Sequence, residues 1–305
     1  DDKFFYINML KTKSSAPGKL MLFGEHAVVY GYPCIVTTVS SRVYVEVEKT
    51  SGQFKIDAPQ VKDTRFVEEA VKQFCEKYKV GNKILIKTHS DFSSKFGLGS
   101  SSAVTVATIY ALSNLYKIKI SKKEIFDLGY RVVLNVQGVG SGFDIVTATY
   151  GGTIYFVTGG KVIEPLSVKD LSLVIGYSGT KADTSSIVKN LELRIHNSEL
   201  EYKKIFSKIS KIVEEAKTSL VNSYWKKTGE LMNQNHRLLQ ELGVSTGKLD
   251  KMCQAAVDSG AYGAKLSGAG GGDCMIALVP ENKIKEVESS IIKVGGEIIK
   301  VKNNI

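Results

Sequence analysis

Cysteine is scarce in this chain, and the spacing of the cysteines argues against both a zinc-binding domain and a disulfide-stabilised fold. Only four of the 305 residues are cysteines, namely Cys34, Cys75, Cys253 and Cys274. No two of them form the CxxC pair of a zinc site, and they show no spacing typical of a disulfide framework. Reduced thiols in a cytoplasmic protein are therefore expected.

Long hydrophobic runs are also absent. No apolar stretch approaches the ~18 residues that a membrane-spanning helix requires. The chain begins with the charged residues 1–3 and continues without a long apolar segment, so we expect no secretory signal and take Met9 as the native start. Hydrophobic residues make up 43% and charged residues 24% of the chain, which is typical of a globular protein rather than a disordered or fibrous one.

Arginine is the third scarcity, and it bears on the net charge of +10. Such a charge raises the hypothesis of a nucleic-acid-binding protein. Arginines are only five of the 41 basic residues, however, and arginine is the side chain that reads bases most specifically. Lysines and acids are interspersed at helical spacing in residues 203–215, which is typical of a solvated helix face. We expect neither nucleic acid nor a membrane as partner, and a nucleic-acid-binding protein stays the alternative from another class.

The hydrophobic periodicity predicts strands and helices mixed along the chain, as in the α+β class. Predicted strands cover residues 34–49, 84–86, 153–157, 171–177, 274–279 and 296–302. Predicted helices cover residues 64–79, 103–116, 121–136, 184–197, 199–222, 223–242, 247–259 and 281–294, and residues 144–150 form a helix or an extended turn. Ser121 and Glu124 form a capping box at the start of the third helix. The glycines at 159 and 160 precede a break in the pattern, which predicts two domains, 9–165 and 166–305.

The strongest chemical signal is the segment GLGSSSA at residues 97–103, which runs directly into a predicted helix. Glycines allow a tight turn and a close approach of the backbone to a ligand, and the first N–H groups of a helix bind anions. The serine hydroxyls can donate to phosphate or reach a Mg²⁺ ion. The segment matches neither the Walker A loop nor GxGxxG. It predicts an anion-binding loop, with a plain Gly/Ser loop as the alternative.

Two further glycine-rich segments carry weaker signals. Residues 268–272 (GAGGG) contain four glycines, which indicates close approach of the backbone to a ligand or to a neighbouring loop. Residues 138–142 precede Asp144, which is either a helix cap or a carboxylate held near a reacting hydroxyl. Residues 19–26 begin with a lysine and end with a glutamate and a histidine, so a cation, an acid and an imidazole lie within eight positions.

In their order along the chain, these segments resemble the signature motifs of the GHMP kinase superfamily. The matching segments are APGK at 16–19, GEHAVVYG at 24–31, GLGSSS at 97–102, Asp144 followed by YGG at 150–152, and KLSGAGGG at 265–272. The likeness covers about residues 13–280. It implies a two-domain fold, with a ribosomal S5 domain 2-like N-terminal domain and a ferredoxin-like C-terminal domain. It also implies ATP-dependent transfer of a phosphoryl group to a hydroxyl or to a phosphate, with Mg²⁺ as cofactor.

The resemblance implies a role for each matching residue. Asp144 would accept or orient the proton of the acceptor hydroxyl, Lys19 would stabilise the developing alkoxide, and Ser101 would bind Mg²⁺. The ATP-binding residues would be Lys95, Gly97, Leu98, Gly99, Ser100, Ser101, Ser102, Gly270 and Gly271. The substrate-binding residues would be Glu25, His26, Gly142 and Gly268.

The acceptor is left between two alternatives. GEHAVVYG at 24–31 and NQNH at 233–236 resemble mevalonate kinases, which implies phosphorylation of the 5-hydroxyl of mevalonate in the isoprenoid precursor pathway. GSGFD at 140–144 and the Asp273-Cys274 pair resemble phosphomevalonate kinases instead, which convert 5-phosphomevalonate to 5-diphosphomevalonate. Nine residues before Asp144, where mevalonate kinases usually carry a Mg²⁺-binding glutamate, this sequence has Asn135.

A phosphate acceptor would need an additional cation in the site. The sequence offers Lys95, Lys181 and Lys265 for that role. The expected partners are small molecules, namely ATP with mevalonate or phosphomevalonate, and a homodimer is left open.

Overall fold

The computed structural model describes residues 11–300, and these divide into two compact units. The first unit contains the described residues up to 19 together with 41–94 and 98–151, and the second contains 20–40, 95–97 and 152–300. The domain boundary expected at 165 and 166 stays a prediction. Met9 and the last two residues of the strand predicted at 296–302 lie outside the described residues.

Strands and helices are mixed along the chain, as the sequence predicts. Within residues 11–300 the strands are β1 (Lys11–Phe23), β2 (Pro33–Lys49), β3 (Lys55–Asp57), β4 (Ile84–Ser90), β5 (Thr153–Val157), β6 (Val162–Leu166), β7 (Leu173–Tyr177), β8 (Gly263–Ser267), β9 (Cys274–Leu278) and β10 (Glu297–Ile298). The helices are α1 (Arg65–Tyr78), α2 (Ser100–Leu115), α3 (Lys122–Gln137), α4 (Phe143–Tyr150), α5 (Thr184–Asn197), α6 (Glu199–Val221), α7 (Trp225–Glu241), α8 (Gly247–Asp258) and α9 (Ile284–Lys293). None of the helices in the described part of the chain is both long and apolar enough to span a bilayer.

In the first unit the helices α1–α4 contact one another, and β2, β3 and β4 pair in a sheet. β4 pairs antiparallel with the second half of β2, in the register Val43 opposite Ser90 through Lys49 opposite Ile84, and parallel with β3. Alternate β2 residues from Val43 to Val47 are buried, which confirms the predicted period of two. α2 is buried on most of its surface, and α3 begins at the predicted capping box, where the Ser121 side chain accepts from the Glu124 amide.

The second unit contains strands of two sheets. The first half of β2 pairs antiparallel with β5, and β5 pairs antiparallel with β6. The other sheet has the order β10-β7-β9-β8, and every pairing in it is antiparallel. Helix α7 lies so close to β8 that a Cβ at Gly229 would come within 2.2 Å of the Tyr262 carbonyl. Glycine at 229 is therefore a packing requirement.

The structure differs from the sequence prediction in two places that affect the glycine-rich segments. α2 begins at Ser100 rather than at 103, because residues 100–102 form its first turn. Residues 263–267, directly before the glycines at 268–272, form β8, a strand that was not predicted. Residues 143–150 form the helix α4, which resolves the alternative left open there.

Candidate functional site

In the first unit the structure brings Lys19 and Asp144 together. Lys19 Nζ lies 3.2 Å from Asp144 Oδ1, and the lysine side chain is 9% exposed while the aspartate side chain is 33% exposed. Asp144 stands in the first turn of α4, directly after Phe143, whose ring centroid lies 5.1 Å from the same Nζ. Asp144 Oδ1, the oxygen that faces Lys19, is itself buried and accepts no hydrogen bond from the described residues. The exposed third of the side chain is therefore the part of the carboxylate that an incoming proton donor could reach.

Gly99 places the start of α2 against this ion pair. It is the N-cap residue of α2 and has φ +77°, a left-handed conformation that favours glycine. A Cβ at this position would lie 2.9 Å from Lys19 Cγ and 3.4 Å from Asp144 Oδ1. The Lys19 amide also donates to the Leu98 carbonyl at 2.9 Å, which fixes β1 to the loop. Because glycine has no Cβ, the N-terminus of α2, which is the positive end of the helix dipole, can lie directly beside the Lys19–Asp144 pair.

Three serines occupy the first turn of α2. Ser100 and Ser101 are partly exposed, whereas Ser102 is buried. The first N–H groups of a helix have no partners within the helix, and together with the helix dipole they favour an anion such as a phosphate. The arrangement therefore fits a phosphate-binding turn beside a carboxylate and a lysine.

The described residues contain no group of three or more His, Cys, Asp and Glu side chains that could hold a metal ion. A metal ion here would therefore need oxygens from a bound substrate or from water in addition to those of protein side chains. Mg²⁺ fits that condition, because it is commonly bound by one or two protein oxygens together with substrate phosphates and water. Ser101 and Asp144 supply oxygens of the required kind. Asn135 in α3 donates to Glu69 Oε1 at 2.6 Å, so a carboxylate from α1 stands next to that amide.

In the second unit the motif GEH at 24–26 is bound to β8 and to the segment that follows it. Glu25 and Lys265 form an ion pair in which both side chains are 0% exposed. His26 Nε2 donates to the Ala269 carbonyl at 2.9 Å, because a carbonyl oxygen can only accept. Residues separated by 240 positions are thereby held together at two adjacent points.

Burial controls the ionisation of these three side chains. Desolvation raises the pKa of Glu25 and lowers the pKa of Lys265, while the attraction between them opposes both changes. Desolvation also lowers the pKa of His26 to about 4, because the buried ring loses the hydration of its charged form. His26 is consequently neutral near pH 7, and its proton lies on Nε2.

Glycine is required for different physical reasons at the positions within 268–272. A Cβ at Gly270 would lie 2.0 Å from the Val244 carbonyl oxygen, and one at Gly272 would lie 2.5 Å from the Thr180 carbonyl oxygen. Close approach to the neighbouring backbone therefore explains glycine at these two positions. A Cβ at Gly271 would meet only the end of the Ile187 side chain, and the φ of +68° is the stronger reason for glycine there. Gly268, in contrast, has φ +108° and open space where a Cβ would stand.

Lys95 and Gly97 lie in the second unit, against β7 and β9. Lys95 Nζ stands 5.2 Å from the Phe96 ring centroid and 5.7 Å from the Tyr177 ring centroid. A Cβ at Gly97 would come within 2.6 Å of Asp273 Oδ2, and the other oxygen of that carboxylate accepts from the Ala182 amide at 2.9 Å. Asp273 itself has φ +54°. Lys95 and Gly97 are thus each held by side chains of the second unit.

The structure brings the predicted site residues together in three groups. Lys19, Leu98, Gly99, Ser100, Ser101, Ser102, Gly142 and Asp144 belong to the first unit, and Gly142 is the N-cap residue of α4 beside the Tyr130 ring. Glu25, His26, Gly268, Gly270 and Gly271 form the second group, and Lys95 with Gly97 forms the third. Sequence reasoning missed the pairing of Glu25 with Lys265 and the position of Asp273 against Gly97. The prediction of Lys265 as a cation for an acceptor phosphate is wrong, because the buried ammonium is already paired.

The comparisons with known proteins show which family the chain belongs to. The family model for the GHMP kinases N terminal domain matches residues 65–152, and the model for the GHMP kinases C terminal domain matches residues 216–296. The chain therefore belongs to the GHMP kinase family, and it has that family's two-domain fold of mixed α and β content.

Individual relatives are mevalonate kinases. The chain is 37% identical to a mevalonate kinase of Pyrococcus abyssi over 313 positions, covering 93% of this chain and 92% of the relative. A crystal structure of the Methanococcus jannaschii mevalonate kinase is similar with a TM-score of 0.82 and 29% identity, over 94% of this chain and 96% of that one. The L. major mevalonate kinase in complex with R-mevalonate is similar with a TM-score of 0.84 and 26% identity, over 95% and 96% of the two chains.

Proposed function

We propose that this protein transfers the γ-phosphoryl group of ATP to the 5-hydroxyl of mevalonate, giving 5-phosphomevalonate and ADP for isoprenoid biosynthesis. The observation that carries the proposal is the Lys19–Asp144 pair at 3.2 Å beside the start of α2, with glycine at position 99. Relatives that are mevalonate kinases support the choice of acceptor.

Asp144 and Lys19 divide the acid–base work. Phosphoryl transfer depends on positioning and on neutralising charge more than on covalent chemistry with the protein. Asp144 Oδ accepts or orients the hydroxyl proton of the acceptor, and the ammonium of Lys19 stabilises the negative charge that develops on the acceptor oxygen. The nearly complete burial of Lys19 strengthens that interaction, because water screens a buried charge less.

The first turn of α2 binds the phosphates. The backbone N–H groups of residues 100–102 point out of the helix start, and the hydroxyls of the same serines add further donors. Ser101 with Asp144 would hold Mg²⁺. When bound, that ion supplies positive charge to the phosphate oxygens and orients them. Gly142, the N-cap residue of the helix that carries Asp144, borders the acceptor in the proposal.

Phosphomevalonate kinase activity is the second candidate, and Asp273 after the glycines is the feature that favours it. That activity requires cations for the phosphate of the acceptor. Lys265 is removed from that set by its pairing with Glu25, and Lys95 stands over two aromatic rings. Lys181, which is exposed, is the remaining cation of the three.

A coupled assay of ADP release separates the two functions. Mevalonate and 5-phosphomevalonate are each supplied with Mg²⁺ and ATP, and we expect a higher kcat/KM for mevalonate. Asp144→Asn is expected to lower kcat by about 10³-fold while the protein stays folded, since the variant loses the proton acceptor. Asp127→Asn, on the exposed face of α3, is the matched control and is expected to keep its rate. The proposal would be contradicted if the protein phosphorylated 5-phosphomevalonate but not mevalonate, or if Asp144→Asn kept near-normal turnover.

A further inference from the structure

Glu25 has no surface that a ligand could touch, although its motif matches substrate-binding positions. Its carboxylate and the Lys265 ammonium are both 0% exposed, and Lys265 Nζ also donates to the Leu266 carbonyl at 2.6 Å. Removing two charges from water is costly, and here the attraction between the two groups is the main compensation. Lys265 binds Glu25 Oε1, whereas Glu25 Oε2 is buried and has no hydrogen-bond partner among the described residues. The burial therefore points to a role inside the protein for the pair.

The β8 side chains on the same face as Lys265 also bind the segment of residues 21–26. Residues 265 and 267 are two positions apart in a strand, so they project from the same face. Ser267 Oγ accepts from the Met21 amide at 3.0 Å and donates to the Met21 carbonyl at 3.0 Å. Lys265 binds Glu25, and just beyond the strand the Ala269 carbonyl accepts from His26. Three successive contacts thus join residues 21–26 to residues 265–269.

The other side of β8 is bound by α7. Asn233 Oδ1 accepts from the Ala264 amide at 2.9 Å, and His236 Nδ1 accepts from the Leu266 amide at 3.4 Å. The Gly24 amide donates to Asn235 Oδ1 at 3.3 Å, so α7 also holds the GEH turn. Residues 233–236 (NQNH) of α7 therefore bind both β8 and the GEH turn at 24–26.

His26 depends on this support because its backbone is strained. It has φ +61° and ψ −49°, a positive-φ conformation outside the left-handed helical region that few non-glycine residues adopt. Strained backbone persists where the surrounding structure determines the conformation, and the residue immediately before His26 is the buried Glu25. A displacement of Glu25 would move the imidazole and its bond to Ala269.

We propose that Glu25 and Lys265 are a buried positioning pair that holds His26 and the open-faced Gly268 in place for the acceptor, without either side chain touching it. The proposal rests on the proposed kinase function, and it replaces direct contact by Glu25 with an indirect effect. The pair acts through geometry, so loss of one partner is worse than loss of both. A contact residue would behave differently, because nothing at position 265 could restore a lost contact with substrate.

A double-mutant cycle tests this difference. The variants are Glu25→Met, Lys265→Met and the double variant, since methionine is flexible, apolar and of similar length. Each single variant leaves one buried charge without its partner, and we expect the KM for mevalonate to rise at least about tenfold with a smaller change in the KM for ATP. In the double variant we expect that KM to return to within about threefold of the unmodified protein. Glu25→Gln, which keeps the shape of the side chain, covers the case in which the single methionine variants do not fold.

A second readout does not depend on activity. Hydrogen exchange of the amides in residues 264–272 is expected to accelerate in the single variants and to recover in the double variant. Lys203→Met removes the exposed pair of Lys203 with Glu199 and is the control that should change neither readout. A double variant with recovered exchange protection and an acceptor KM as high as that of Glu25→Met would overturn the proposal. Absence of mevalonate turnover in the unmodified protein would refute the proposed function, whereas the exchange cycle would still test the pair.

Discussion

Replacing Gly99 by alanine tests the geometry of the Lys19–Asp144 pair most sharply. The new Cβ would lie 2.9 Å from Lys19 Cγ, whereas carbon atoms in contact normally lie 3.5–4.0 Å apart. The lysine side chain must therefore shift by at least roughly 0.6 Å. Misplacement of a catalytic group by about 1 Å can cost about 10²-fold in rate. We expect kcat to fall ten- to a hundredfold, which corresponds to roughly 1.4–2.7 kcal/mol of transition-state free energy.

The backbone strain of the same substitution needs a control. Gly99 has φ +77°, and an alanine there would lower the free energy of unfolding by about 1 kcal/mol whatever its neighbours are. Gly159 has φ +73° and nothing within 4 Å of its Cβ position, so Gly159→Ala carries the strain without the clash. Urea unfolding should show a loss of stability for both variants, and a larger one for Gly99→Ala, which adds the clash to the strain. The ADP-release assay should show a lower kcat for Gly99→Ala alone. Equal kcat values in the two variants would refute the reasoning.

Two further predictions concern the metal and the buried histidine. Ser101→Ala should raise the Mg²⁺ concentration for half-maximal rate about tenfold, with Ser185→Ala as the exposed control, and an unchanged Mg²⁺ dependence would count against Ser101 as a ligand. The pKa of His26 is lowered to about 4, below its ordinary value of 6.5, so its contribution to stability is present above pH 6.5 and is lost as the pH falls through 4. That contribution is on the order of 3 kcal/mol. His26→Gln should flatten the fall in unfolding free energy between pH 6.5 and 4, and a slope equal to that of the unmodified protein would show that His26 is not its source.

The sequence predicted the helices well because their signals are local. The α5 helix has the predicted bounds, and the capping box at Ser121 marks the start of α3. β1 was missed because residues 16–23 are buried continuously rather than alternately, which removes the period of two, and because the strand includes Pro17 and Gly18. β3 and β6 were missed as short segments with few buried residues.

The candidate site was predictable in part. The glycines and serines of residues 97–103 predicted an anion-binding turn. The glycines before Asp144 marked that residue as a candidate for the site. The pairing of Glu25 with Lys265 could not be predicted, because the two residues are far apart in sequence and a charge carries no local signal for burial. The reason for Gly270 and Gly272 also depends on distant carbonyls, which only the folded chain identifies.

The central claim is that the Lys19–Asp144 pair directs phosphoryl transfer to the 5-hydroxyl of mevalonate. Phosphorus NMR of the product formed from mevalonate, ATP and Mg²⁺ tests it most directly. We expect a single phosphomonoester signal coupled to the methylene protons at carbon 5, and with Asp144→Asn the same signal should form about 10³-fold more slowly. Unreacted mevalonate, together with formation of 5-diphosphomevalonate when 5-phosphomevalonate is supplied instead, would contradict this assignment.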